Sequence, residues 1–179
     1  MITRRHQKCD AASEAVYSDC ETYRYRLSRC WTPKGARVLF IMLNPSKATE
    51  AQNDPTIERC ERRARRLGFG AFDVVNLFAL RETDPRRLRA HPAPVGPGND
   101  AQVTAACRGA DRVIAAWGVH GAHMGRGAEM RAILLAAGAP LFHFGQTKEG
   151  HPRHPLYLPY TLAPEPWDVM GAHDFEETP

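Results

Sequence analysis

Between Tyr23 and Trp31 the chain reads YRYRLSRCW, with ring or aliphatic residues alternating with polar ones, the period of a half-buried strand. This predicts a strand pairing at a sheet edge. Pro33 and Gly35 break the chain, and Val38 to Leu43 (VLFIML) follows as an unbroken apolar run, as in a strand covered on both faces. It is the predicted central strand. Asp54 and Pro55 have the pattern of a helix N-cap followed by proline in the first turn. Ile57, Cys60, Ala64 and Leu67 then recur at helical spacing, Arg59, Arg62, Arg63 and Arg66 lie largely elsewhere, and Gly68 is a stop. Phe72 to Phe78 (FDVVNLF) is the next predicted strand.

The proline- and arginine-rich stretch from Arg81 to Gly98 reads as an irregular loop, with at most a short helical turn begun at Asp84 and Pro85. Asn99 is placed to cap a helix running to about Gly109. Arg112 to Trp117 (RVIAAW) is a third buried strand, and Gly127 to Ala137 is a helix with Met130, Ile133, Leu134 and Ala137 inward. Leu141 to Phe144 is a fourth strand. Strands alternating with helices imply a parallel sheet with right-handed crossovers. The fold class predicted is α/β: a three-layer α/β/α sandwich with a short, mainly parallel four-stranded central sheet plus an N-terminal edge strand. Residues 1–21 are then an N-terminal extension, 22–164 a single α/β domain, and 165–179 an acidic tail contributing no core. In such a sheet, ligands bind beyond the carboxyl ends of the strands, so the loops opening at Asn44, Leu77, Gly118 and Gly145 should converge.

Composition narrows the function classes. A chain of 179 residues, 43% hydrophobic, sustains one core. No run approaches the length of a membrane span, and MITRRHQKCD lacks the apolar stretch of a signal peptide, so a soluble cytoplasmic protein is expected. Cys9, Cys20, Cys30, Cys60 and Cys107 are odd in number and without C-x-x-C spacing, which argues for reduced thiols over a disulfide framework or a metal cluster. The net charge of +4 includes Glu165, Asp168, Asp174, Glu176 and Glu177 near the C-terminus. Removing that −5 leaves +9 for residues 1–164, a basic body able to attract nucleic acid.

Four loop segments carry candidate chemistry. Asn44 and Pro45, leaving the central strand, present a neutral amide that can accept and donate hydrogen bonds, while Asp54 reads as a helix cap first and a carboxylate base second. Asn76 stands where a buried strand would ordinarily carry an aliphatic residue, so its amide must find partners or read a ligand. Phe78 is grouped with it as substrate-binding. Trp117 and Gly118 close the third parallel strand, with His120 and His123 after them. His151 and His154 each precede proline in HPRHPLYLP. Neither histidine pair has a third ligand, so no metal and no cofactor are predicted.

Taken in order, the blocks LNPSKA, DPT, VVNLFALR, AAWG and HPLYL resemble those of an uncharacterised bacterial domain family, over roughly residues 22–160. More distantly, they are similar to those of the uracil-DNA glycosylase superfamily, whose mismatch-specific branch carries Asn-Pro-Gly after a central strand. Asn44 and Pro45 match that block, with Ser46 in place of the glycine. Asn76 resembles the asparagine that reads uracil, Ala115 to Gly118 the strand ending in Trp-Gly, and His154 and Pro155 the late His-Pro-Ser, with Leu156 replacing the serine. The resemblance implies hydrolysis of an N-glycosidic bond on a base rotated out of its stack in DNA, needing electrostatic preorganisation more than a strong nucleophile.

In that reading Asn44 positions water, Asp54 activates it or stabilises positive charge, and Asn76 bonds the base edge. His154, with His151 as second choice, stabilises the departing base. Pro45, Ser46, Lys47, Phe78, Trp117 and Gly118 complete the substrate contacts. Arg59, Arg63, Arg81, Arg86 and Arg87 are the candidate nucleic-acid contacts, and a monomer is expected. Two other classes stay open: a non-catalytic nucleic-acid or nucleotide-binding module of the same fold, and an enzyme acting on a free nucleoside or small glycoside.

Overall fold

The computed structural model describes residues 1–168; Asp174, Glu176 and Glu177 of the acidic tail lie outside the described residues. The elements are β1 (Ile2–Lys8), β2 (Ala11–Tyr17), β3 (Arg24–Cys30), β4 (Arg37–Met42), α1 (Pro55–Arg66), β5 (Ala71–Asn76), α2 (Pro85–Ala90), α3 (Asn99–Arg108), β6 (Arg112–Ala115), α4 (Arg126–Ala136), β7 (Leu141–His143) and β8 (Glu165–Pro166). Short 3-10 segments at Val119–Gly125 and Pro155–Tyr157 complete the order.

The sheet corrects the sequence reading: it is not a short four-stranded sheet with one edge strand but a mixed sheet of eight strands, ordered β1-β2-β3-β5-β4-β6-β7-β8. Strands β5, β4, β6 and β7 run parallel, and the antiparallel strands β1, β2 and β3 extend one side while β8 closes the other. Residues 1–21 are therefore largely sheet, and β3 is an interior strand between β2 and β5. The β1 segment ITRRHQK escaped notice because its central five residues are exposed on both faces, so no apolar alternation marks it. At the other end, β8 pairs with β7 and Trp167 is buried against Trp117, with ring centroids 5.5 Å apart, so the start of the acidic segment does contribute core.

Alternation along β4 divides the core. Val38, Phe40 and Met42 pack on one face with Ile57, Cys60 and Ala64 of α1, whereas Leu39 and Ile41 face Val103 and Ala106 of α3 and Met130 and Leu134 of α4. Helix α1 begins as its sequence predicts: Asp54 accepts from the Ile57 N–H at 2.9 Å, with Pro55 in the first turn. Helix α3 does not use Asn99 as its cap. Gly98, at φ 79°, precedes the helix, while the Asn99 amide donates to the Asn76 and Leu77 carbonyls at 3.0 and 3.1 Å. That pins α3 to the end of β5. No helix among the described residues is long and apolar enough to cross a membrane.

Candidate functional site

Three backbone bonds draw the loops together where the parallel strands end. Leu77 N–H donates to the Met42 carbonyl at 2.9 Å, Phe78 N–H to Leu43 at 3.0 Å, and Gly118 N–H to Pro152 at 2.8 Å. Between these loops lies a cavity of about 520 Å³, lined among others by Asn44, Ser46, Asp54, Asn76, Trp117, Gly118 and His154. Gly118 sits at φ 70°, and a Cβ there would lie 3.6 Å from that of His154. The turn thus combines a left-handed backbone with close packing.

The Asn44 amide nitrogen donates to the Pro45 carbonyl at 3.0 Å and to the Glu82 carbonyl at 2.6 Å. With both hydrogens committed, its Oδ1 is left as an acceptor on a fixed side chain. Asp54 is held in a different way: Oδ1 takes the Ile57 N–H and Oδ2 the Ala48 N–H at 3.3 Å. It lines the cavity as a helix cap whose negative charge also acts on His154 and Arg24.

His154 accepts the Leu156 N–H at Nδ1, 3.3 Å away, which puts the ring proton on Nε2. Burial pushes its pKa down to about 4, with the Asp54 charge pulling the other way. Near neutral pH it is therefore an uncharged hydrogen-bond donor. Asn76 is 1% exposed, and its Nδ2 has no hydrogen-bond partner among the described residues. A buried N–H without an acceptor costs about 1–3 kcal/mol, so this residue of the cavity lining carries a donor that the fold does not satisfy.

Among the lining residues that the sequence reading does not single out, Arg24 is a buried cation. Arg24, the first residue of β3, is 1% exposed and lines the cavity; its Nη1 donates to the Ala48 carbonyl and its Nε has no partner among the described residues. Burial lowers its pKa to about 10. Strand alternation gave no signal for it, because a polar position in an edge strand is assigned to solvent, and β3 is not at the edge.

The remaining sequence-predicted residues lie apart from this cavity. Pro45 is buried and its carbonyl accepts from both Asn44 and the Glu82 N–H, Phe78 is buried against the His123 ring 5.5 Å away, and His151 lines a separate cavity of about 610 Å³ beside Gly121 and Trp167. Lys47 and Arg81 line an adjoining, more open hollow that shares Ser46, Glu82 and Thr83 with the main cavity. Arg81 also donates to the Glu21 carbonyl at 3.1 Å.

Arg63 requires a correction. It is 2% exposed, donates to the Leu158 and Pro159 carbonyls at 2.7 and 3.1 Å and lies 4.6 Å from the centroid of the Phe144 ring, so it holds the fold and cannot reach a phosphate. Its neighbour Arg59 likewise donates to Leu158, at 3.0 Å, and covers the Tyr160 ring. Arg86 and Arg87 are exposed on α2, and Arg89 of the same helix lies 2.9 Å from Nδ1 of His120, which lines the cavity. Of the exposed α2 arginines, Arg89 thus touches a residue of the cavity lining.

No group of three or more His, Cys, Asp or Glu side chains among the described residues could hold a metal ion. The lining thus brings together the amides of Asn44 and Asn76, the neutral ring of His154 and the buried cation of Arg24. Residues 24–156 match the family model described as a protein of unknown function, DUF1643. No curated protein and no solved structure matches the chain.

Proposed function

We propose, from the premise that this chain belongs to the family DUF1643, that its cavity binds a nucleobase and hydrolyses the N-glycosidic bond joining it to a sugar in DNA, as in uracil-DNA glycosylases. The observation that carries this reading is that Asn76, a buried amide whose Nδ2 has no partner among the described residues, lines the same cavity as the neutral ring of His154 and the amide of Asn44. In the transition state the bond to the base lengthens, the sugar gains oxocarbenium character and the base leaves as an anion. Asn44 Oδ1 accepts a hydrogen from water and aims its lone pair at the sugar carbon; Asn76 Nδ2 and His154 Nε2–H donate to the base. The water oxygen forms the new bond to carbon, the electrons of the broken bond stay on the base, and the proton lost by water passes through solvent to that base.

Asp54 is better suited to electrostatic support than to proton abstraction, because both its oxygens already accept backbone N–H groups. Affinity for the nucleic-acid backbone is assigned to Arg86 and Arg87 on α2, with Lys47 and Arg81 at the adjoining hollow. The test is incubation with duplex and single-stranded DNAs carrying uracil, mismatched or damaged bases, followed by cleavage at abasic sites. Strand cleavage dependent on the protein supports hydrolysis; DNA bound with every base left intact supports a non-catalytic binding module.

A further inference from the structure

Asn44, Ser46 and Asp54 of the cavity wall all lie on residues 43–54, a segment with no helix or strand. Such loops are ordinarily among the more mobile parts of a fold. Here the carbonyls of three consecutive residues are held by buried side chains of β2 and β3: Arg24 donates to Ala48, Arg29 to Thr49 at 2.7 Å, and Ser13 Oγ to Glu50. The Tyr17 hydroxyl adds a bond to the Glu50 carboxylate at 2.9 Å. Ser13 and Tyr17 precede residues 24–156, the span matched by the family model, so part of the hold on this loop comes from outside that span.

Arg29 is the centre of the arrangement. It shares the face of β3 on which Leu27 packs into the core with Ile57 and Cys60 of α1, and it is fully buried. Its guanidinium meets neutral acceptors: Ser13 Oγ at 2.6 Å, the Ser28 and Thr49 carbonyls at 3.0 and 2.7 Å, and Asn53 Oδ1 at 3.0 Å. An aliphatic residue would fill that position without burying a charge, so what the guanidinium adds is its reach to the loop. The contacts nest. Arg29 Nη2 bridges Thr49 and Asn53; the next residues out are joined by the Ala48 N–H donating to Asp54 Oδ2 at 3.3 Å, and Asp54 caps α1 through the Ile57 N–H. Asn53 Nδ2 donates to Glu58 and Glu61 at 3.0 and 2.7 Å, which turns its Oδ1 toward Arg29.

We propose that Arg29 is a positioning residue for the cavity: its guanidinium closes the 49–53 turn against β3, and the closed turn sets Asp54 and Ser46 in the wall. This rests on the reading of the cavity as a base-binding site. Arg29 itself is not part of the lining, so it acts through the loop and touches no substrate. The planar fork reaches acceptors on the loop and on β2 at once, which the point charge of a lysine does not reproduce. A loosened wall leaves the cations that hold nucleic acid in place but misaligns the reacting groups, so the signature is a slower chemical step at unchanged affinity.

The experiment follows the Ala48 and Ile57 amides, the two that donate to Asp54, by hydrogen exchange in the full chain, beside single-turnover base release, DNA affinity and calorimetric titration with uracil. It compares the parent with Arg29→Lys and with Asn53→Ala, which cuts the same tie from a half-buried loop position and decides the matter if Arg29→Lys does not fold. Both variants are expected to exchange these amides at least about tenfold faster while those of Phe40 and Ile41 in β4 are unchanged. Release should slow by at least about tenfold with DNA affinity within about threefold. Unchanged exchange in the folded variants, faster exchange with release at the parental rate, or an equal loss of release and DNA affinity overturns the proposal. If the parent releases nothing, hydrolysis alone fails and uracil affinity takes the place of release: a loss of at least about tenfold in the variants supports positioning, and an unchanged affinity overturns it. A parent that neither releases a base nor binds uracil removes both.

Discussion

Toward the end of the sheet where the parallel strands begin, Arg37 reaches Asp73 at 2.9 Å, its backbone N–H is held by Asp111 at 2.7 Å, and Glu14 bridges Arg5 and Arg26 at 3.0 and 2.8 Å. At the end where those strands stop, Asn76 Nδ2 is buried without an acceptor and Arg24 without a counter-charge. The same sheet supports both regions, and hydrophobic packing is continuous between them. Buried nitrogens without a partner among the described residues also occur at Arg26, Arg29 and Arg63, so an unmet donor does not by itself mark a site. What sets Asn76 and Arg24 apart is that they line the cavity at the strand ends.

The contrast is sharpest in acid. Burial holds His154 at about 4 against an ordinary 6.5, so below pH 6.5 the unfolded chain binds a proton that the folded protein refuses. The stability contributed by the neutral ring is intact above about pH 6.5 and is lost between there and about pH 4, by roughly 3 kcal/mol. Urea unfolding across that range should show the loss in the parent and a flatter curve in His154→Gln. An equally steep curve in the variant would place the sensitivity elsewhere.

A smaller pair of effects should have opposite signs. Asp73→Leu leaves the half-buried Arg37 unpaired and is expected to cost about 1–3 kcal/mol. Asn76→Leu removes an amide nitrogen that has no partner among the described residues and is expected to raise stability by about 1 kcal/mol while abolishing base binding. Chemical denaturation beside ligand titration reads both, and a destabilised Asn76→Leu would mean that the amide has a structural partner after all. Smallest is the effect at the mouth: Arg86→Ala with Arg87→Ala should lower the salt dependence of DNA affinity by about one unit of slope per lost phosphate contact, with little effect on folding. An unchanged slope would remove α2 from the nucleic-acid surface.

The paired region and the site were unequally legible in the sequence. Strands β3 to β7 announce themselves because their apolar residues face helices, but β1 is wetted on both faces and β8 is two residues long, so neither carries a periodic signal. For Asn44, Asn76 and Gly118, a position just after or at the end of a strand was enough to bring them to one cavity, whereas His154 reaches it on the long loop after β7, as the cap of the Pro155–Tyr157 turn. Charge misled where burial decides. Arg63 reads as a surface cation and is locked under Leu158, while Arg24 reads as the solvent side of an edge strand and is instead buried, its guanidinium bonded to the Ala48 carbonyl of the loop after β4. Arginine's long stem and five donors let it be buried against carbonyls and rings in ways that residue-type patterns do not encode.

The most direct measurement compares Asn44→Ala with the parent in single-turnover base release and in DNA binding, on whichever substrate the parent cleaves. Removing a preorganised polar contact to the reacting groups is expected to slow release by about 100-fold or more, with affinity held within about threefold by the arginines. Release at the parental rate by folded Asn44→Ala would contradict the assignment of water positioning to this amide, and with it the account of the cavity as a site of glycosidic hydrolysis.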